Sequence, residues 1–285
     1  MKPKHIFTNE ICVFFLTTLN EYYNGTLKEA VESFSKNCNS KYKFDLMIYF
    51  DRKPTDADDI NNFLRTIEFK YKNINKTKFS FSVIPEHQNF YNWSIRNEIS
   101  LNDFPMGASH GVNEHFYMTL NSLFDLDYNN FLLLEADTMP MCDNWFDVAL
   151  QFTRNNTDFL IAGSKYKGKN REWVEKQYWG GHLNGVAIYK NCEELKFDLE
   201  ESKKFLIKLI KENPELYNNF MNYDVAIYLY YKETCENDIE DYLYDTDFIT
   251  NISDNSNKDV EIEDVLKEFP HTRILHRKGL YCESN

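Results

Sequence analysis

Short apolar runs alternate with amphipathic stretches along the first half of the chain. Ile11 to Leu16 is a continuous apolar run. After Asn24-Gly25-Thr26, the residues Leu27, Ala30, Val31 and Phe34 recur at helical spacing as far as Asn37, a pattern that predicts a strand followed by a helix. Phe44 to Phe50 predicts a second strand, stopped by Asp51 and Pro54, with a helix over 58–70. Phe79 to Pro85 alternates large and small side chains as a third strand does. A polar, aromatic stretch from His87 to Pro105 then leads into Gly107-Ala108-Ser109-His110-Gly111-Val112-Asn113. A helix over 114–124 follows, with Phe116, Leu120 and Leu123 on one stripe.

The run Phe131-Leu132-Leu133-Leu134 ends abruptly at Glu135, Asp137 and Pro140. An unbroken apolar run of this length reads as a strand buried on both faces. Its acidic end lies where open α/β sheets place their chemistry. Strands alternating with helices imply an α/β fold with a mostly parallel sheet and right-handed crossovers. Further on, the pattern predicts a strand at Phe159 to Ala162, a turn to Gly168, a loop carrying Trp173, Tyr178 and Trp179, and helices over 193–212 and 224–232. The acidic, polar run from Cys235 to Asp264 has few apolar anchors and is expected as a flap over the site or a solvated surface excursion.

Composition narrows the function classes. A chain of 285 residues, 42% hydrophobic and 16% aromatic, can bury a full core. Its net charge of -13 argues against a nucleic-acid partner, which requires a basic surface. Contact with a diphosphate would need a cation between them. Six scattered cysteines without a C-x-x-C pair point to free thiols in a reducing compartment. The Ile11 to Leu16 run is too short to span a bilayer and lacks a cleavage site, so a cytoplasmic protein with no transmembrane segment is expected.

Glu135 and Asp137 are two apart and project from one face of an extended backbone, a pair able to hold Mn2+ or Mg2+ beside a diphosphate. A solvated acidic turn is the competing reading of the same spacing. Thr17 and Asp51, at the tips of the first and second strands, are candidates to contact a nucleoside. Asp51 reads equally well as a loop cap. Gly180-Gly181 would let the backbone approach a ligand, with Asn184 bonding sugar hydroxyls. The loop aromatics can stack on sugar rings or serve as ordinary packing. Pro270 to Gly279 concentrates basic groups, among them His276 as a third metal ligand and Lys278 as a diphosphate partner. A basic strand packed on an acidic surface would leave His276 structural.

Several blocks taken together resemble the GT-A glycosyltransferases. They are Glu135-x-Asp137 with Pro140 and Asn144-Trp145-Phe146-Asp147, Ser109-x-Gly111-x-Asn113 before a helix, His182-x-Asn184-Gly185 before a hydrophobic strand, and Tyr223-Asp224 opening a later helix. They occur in order across roughly residues 10 to 280. The resemblance is to a subset also found in plants, fungi and large DNA viruses of algae, and it implies a Rossmann-like single domain with a donor half to about Pro140 and an acceptor half after it. It further implies a metal-dependent transfer of sugar from a nucleotide-diphosphate donor, UDP-linked and with UDP-xylose as one option, to a glycan hydroxyl. On this reading Asp137, Glu135 and His276 bind the metal. Thr17, Asp51, Ser109, Gly111, Asn113, Glu135, Asn184 and Lys278 bind the donor, and Asp224 is the base of an inverting reaction, although a helix N-cap needs no such role. A sugar nucleotidyltransferase and a catalytically silent glycan-binding module of the same fold are the alternatives. The first would want a glycine- and basic-rich loop after the first strand, which Thr17-Thr18-Leu19-Asn20-Glu21 does not supply.

Overall fold

The structure is a computed structural model and describes residues 6–85, 88, 103–168, 181–218, 221–235, 239–253 and 260–278. The loop aromatics Trp173, Tyr178 and Trp179, together with Gly180, lie outside the described residues. The first half lays down β1 (Ile6–Phe7), β2 (Ile11–Thr17), α1 (Leu19–Tyr23), α2 (Thr26–Lys36), β3 (Tyr42–Phe50), α3 (Ala57–Lys70), β4 (Ile74–Phe81), α4 (His110–Phe124) and β5 (Asn130–Leu134). Then come β6 (Thr138–Pro140), α5 (Trp145–Asn155), β7 (Ile161–Gly163), β8 (Ile188–Lys190), α6 (Glu193–Glu212), α7 (Tyr223–Thr234), β9 (Leu243–Asp245), β10 (Ile249–Asn251), α8 (Ile262–Glu268) and β11 (Ile274–His276).

The central sheet runs β1-β3-β2-β5-β8-β7-β9, with β4 also paired to β3. β4, β3, β2 and β5 are mutually parallel where they pair, and β8 alone runs against its neighbours β5 and β7. The predicted mostly parallel α/β sheet is therefore observed, with one reversed strand. β2 and β5 are buried along their whole length, as strands covered on both faces must be. Side chains of alternating direction feed two cores, one on each face. Val13, Phe15, Leu132 and Leu134 join α2 and Trp145 on one side, and Phe14, Phe131 and Leu133 join α4, α6 and α7 on the other.

Three expectations shift. The third strand is Ile74–Phe81, not Phe79 to Pro85. Its alternating exposed positions include Lys76 and Lys78, which mark an outer strand and dilute the apolar signal. The helix expected from 114 begins at His110, so Gly111 and Asn113 lie in its first turn. The polar run after Cys235 is not simply an excursion, because β9 joins the central sheet beside β7 and β10 joins a second sheet.

That second sheet, β10-β11-β6, positions the site. β6 leaves β5 after a turn at Glu135 to Asp137, and β11 pairs with it antiparallel, His276 opposite Thr138. The C-terminal basic segment is thereby delivered to the acidic end of the central strand.

Candidate active site

The turn between β5 and β6 is closed by the Thr138 N–H and hydroxyl, which both donate to the Glu135 carbonyl at 3.1 and 2.5 Å. On the far side, the Arg277 N–H donates to the Asp137 carbonyl at 3.1 Å. With the backbone fixed at both ends, the Glu135 and Asp137 side chains converge on His276. His276 Nε2 lies 3.0 Å from Asp137 Oδ1 and 3.2 Å from Glu135 Oε2. One ligand atom from each of the three lies within 4.8 Å of the others.

The Glu135 and Asp137 side chains are 31% and 27% exposed, whereas His276 is buried. Both imidazole nitrogens are buried without a hydrogen bond, so the close carboxylate oxygens lie off the directions an N–H would need. A buried, unsatisfied imidazole beside two solvent-facing carboxylates fits a divalent cation held by oxygen and nitrogen donors. Burial works against a charged imidazole here, but the Asp137 and Glu135 charges outweigh it and raise the His276 pKa to about 10.

The acceptor-side candidate stands close by. Asp224 lies in the first turn of α7, where its Oδ1 accepts the Val225 N–H at 2.8 Å and its Oδ2 lies 3.8 Å from His182 Nε2. Burial raises the Asp224 pKa above the usual carboxylate range. His182 and the Val225 N–H oppose that rise, and the Glu135 charge adds to it. Asp224 and Glu135 thus share one electrostatic environment. Next to them, Gly185 has no room for a side chain: the Tyr223 hydroxyl and Glu135 Oε1 occupy the space a Cβ would meet.

The remaining predicted residues divide. Asn113 is fully buried, and its Nδ2 donates at 2.9 Å to the Met221 carbonyl, just before α7, while Oδ1 has no hydrogen bond. Ser109 is buried with its hydroxyl unsatisfied, and Gly111 is buried beside it. The α4 end therefore faces the start of α7. Asn184 Oδ1 accepts the Val186 N–H at 3.0 Å and shapes the turn into β8. Lys278 is exposed, two residues past His276.

Thr17 and Asp51 are tied into the β2 tip. Thr17 Oγ1 donates to Glu21 at 2.9 Å, and Asp51 Oδ1 accepts the Leu19 N–H at 2.8 Å. Asp51 thus caps the start of α1 from the tip of the neighbouring strand, and not its own loop. Two further residues, unflagged by the sequence reading, organise this tip. Glu21 accepts from the Thr17 hydroxyl and from both the N–H and hydroxyl of Thr18. Burial raises its pKa, hydrogen bonds from Thr18 and Thr17 oppose this, and the Asp137 charge reinforces it. The signal was present as Thr18-x-x-Glu21, a capping box. His115, fully buried on α4, bridges the Ser82 hydroxyl at 2.7 Å and the Thr17 carbonyl at 3.2 Å. No short-range motif marks it.

No protein-family model matches the sequence, and no curated protein matches it. Solved structures do match. Apo mouse xyloside xylosyltransferase 1 aligns over 98% of this chain and 100% of its own, with a TM-score of 0.56 at 10% identity. Core-mannan synthase A from Aspergillus fumigatus, in its Mn/GDP form, aligns over 78% of this chain and 69% of its own, with a TM-score of 0.47 at 11% identity. Apo GlyE of Streptococcus pneumoniae TIGR4 aligns over 94% of this chain and 54% of its own, with a TM-score of 0.47 at 13% identity. These structural neighbours are glycosyltransferases, and the mostly parallel sheet with its flanking helices is the GT-A fold. Among the described residues no helix is long and apolar enough to cross a membrane.

Proposed function

We propose that the chain is a metal-dependent glycosyltransferase that moves a sugar from a nucleoside-diphosphate donor, UDP-linked, to a glycan hydroxyl with inversion. The observation that carries this reading is the convergence of Glu135, Asp137 and His276 at the C-terminal end of β5. A bound Mn2+ or Mg2+ supplies Lewis-acid stabilisation of the departing diphosphate. Asp137 and His276 would be its direct ligands, with Glu135 as the third or reaching the ribose. The imidazole tips the set toward Mn2+, since Mg2+ is held chiefly by carboxylates and water.

The chain's own groups do the rest. Lys278 can neutralise phosphate charge from its exposed position. Asp224 takes the acceptor-hydroxyl proton, and a raised carboxyl pKa makes it a stronger base than an ordinary aspartate. Asn113 and Ser109, buried with unsatisfied polar atoms, are donor-sugar contacts. Residues up to about 140 form the donor half and later residues the acceptor half. Free thiols at Cys12, Cys38, Cys142, Cys192 and Cys235 support a cytoplasmic setting. A nucleotidyltransferase is less well supported, because β2 leads into a helix whose N-terminal N–H groups are already taken by Thr18 and Asp51.

The test is calorimetry with UDP, GDP, CMP and UDP-xylose, each with and without Mn2+, followed by donor hydrolysis. Binding of a uridine nucleotide only with metal is the expected result. A folded protein that binds none of them overturns the reading.

A further inference from the structure

We propose that a second site, at the end of the central sheet opposite Glu135, binds a neutral saccharide through a cluster of asparagine side chains. A cleft of about 320 Å3 opens where β5 begins, β8 ends and α5 runs out. Its size falls at the lower bound of small-molecule sites. Strands rise about 3.3 Å per residue, which puts Asn130 about 17 Å from Glu135 along β5. The cleft is therefore separate from the metal site.

Four asparagines line it: Asn129, Asn130, Asn156 and Asn191. Three of them donate amide N–H bonds to main-chain carbonyls. Asn130 donates to Glu10 at 3.1 Å, Asn156 to Phe152 at 2.9 Å, and Asn191 to both Leu126 and Tyr128 at 3.0 and 2.7 Å. Among the described residues none of their Oδ1 atoms receives a hydrogen bond. The hydroxyls of Thr153 and Thr157 are likewise donated to protein acceptors, Leu150 O and Asp158 Oδ1, at 3.0 Å each. The Lys190 ammonium donates to the Thr157 carbonyl at 2.5 Å.

Apart from Asn129, each polar side chain lining the cleft thus has a donor engaged within the protein, which fixes its orientation, and the Oδ1 atoms together with the second amide N–H of Asn130 and of Asn156 are left to a ligand. No carboxylate lines the cleft, so a divalent cation would lack the charged ligands it favours. Lys190 is the one charged side chain lining the cleft, so the lining carries little positive charge for a polyvalent anion. What suits side-chain amides that offer both an oxygen and an N–H is a neutral molecule that both donates and accepts, and the hydroxyls of a sugar meet that description. The proposal rests on the cleft and not on the transferase reading.

The test uses the full chain without metal or nucleotide, labelled with 15N in asparagine side chains. It is titrated with methyl β-D-xylopyranoside, methyl β-D-glucopyranoside and methyl α-D-mannopyranoside. Saturable shifts of the Asn130, Asn156 and Asn191 amide signals are expected for at least one glycoside. Asn129→Ala and Asn156→Ala should each weaken that binding about tenfold, the cost of a lost hydrogen bond, and Thr157→Trp should abolish it. Unmoved cleft amides, shifts confined to Asn113 and Asn184 at the metal end, or undiminished binding in Thr157→Trp would each overturn the proposal.

Discussion

A Cβ on Gly185 would stand 1.9 Å from the Tyr223 hydroxyl oxygen and 3.2 Å from Glu135 Oε1. The tyrosine cannot simply step aside, because its ring is stacked on Phe116 at 3.6 Å with the planes 5° apart. Gly185 is therefore required by close approach, and it sets the spacing between α7 and the metal-side carboxylate. Gly185→Ala should cost about 1–3 kcal/mol of stability through overpacking, read from urea unfolding. Adding Tyr223→Phe should restore part of the loss. An alanine variant of undiminished stability would contradict the packing described here.

Asp137→Ala should remove metal-dependent donor turnover while leaving the circular-dichroism spectrum unchanged. The carboxylate is about one-quarter exposed and belongs to no core cluster, so the fold does not depend on it. The loss should exceed the ~10–100-fold that outer partners of a metal site usually cost. Full activity in this variant would remove the metal assignment.

Much of this site was legible in the sequence, for a physical reason. β5 is an unbroken apolar run, and the acids that end it stand where any buried parallel strand must meet solvent. His276 could be suspected only as a histidine in a basic block, since its pairing opposite Thr138 across β6 and β11 is a contact between residues far apart in sequence. His115 and the Asn129 to Asn191 cleft were not legible at all. Their meaning comes from which carbonyls and hydroxyls the fold brings beside them. The strand at Ile74–Phe81 was displaced in the reading because lysines occupy its exposed face.

Metal binding should release a proton. The His276 pKa is raised from 6.5 to about 10 in the metal-free fold, so at pH 7 the imidazole is protonated and a cation must displace that proton. Calorimetry of Mn2+ in buffers of different ionisation enthalpy should report about one proton released at pH 7, as ligand deprotonation requires. Affinity should rise with pH up to about 10. In the metal-free protein, the raised pKa gives stability that is complete below 6.5 and is lost as pH climbs through about 10. His276→Gln should flatten that alkaline loss and remove the proton release.

The N-cap of α7 is Asn222 and not Asp224, which lies inside the first turn, so Asp224→Asn separates a base from a residue that only bonds the local backbone. The asparagine keeps an oxygen for the Val225 N–H, so thermal stability should change little. Removing a general base should nevertheless lower kcat by about 10²–10⁴ while donor KM holds. In the unsubstituted protein, kcat should fall on acidification through a pKa raised from the usual aspartate value, since burial raises it. NMR of the product should give the inverted anomer. An Asp224→Asn enzyme with full kcat would reduce Asp224 to a structural residue.

His115 should govern acid stability from the other side of the sheet tip. Its Nε2 donates to the Thr17 carbonyl, so Nδ1 is the lone pair that accepts the Ser82 hydroxyl, and the neutral ring satisfies both partners. Burial lowers its pKa from 6.5 to about 4. The unfolded chain therefore binds this proton more readily, and the neutral imidazole's contribution is complete above 6.5 and shrinks as pH falls toward 4. At about 1.4 kcal/mol per pKa unit the loss amounts to roughly 3 kcal/mol. His115→Gln cannot take up a proton, so its unfolding free energy should vary less with pH between 6.5 and 4. Parallel pH profiles for the two proteins, followed by urea unfolding, would contradict a neutral His115 bridging Thr17 and Ser82.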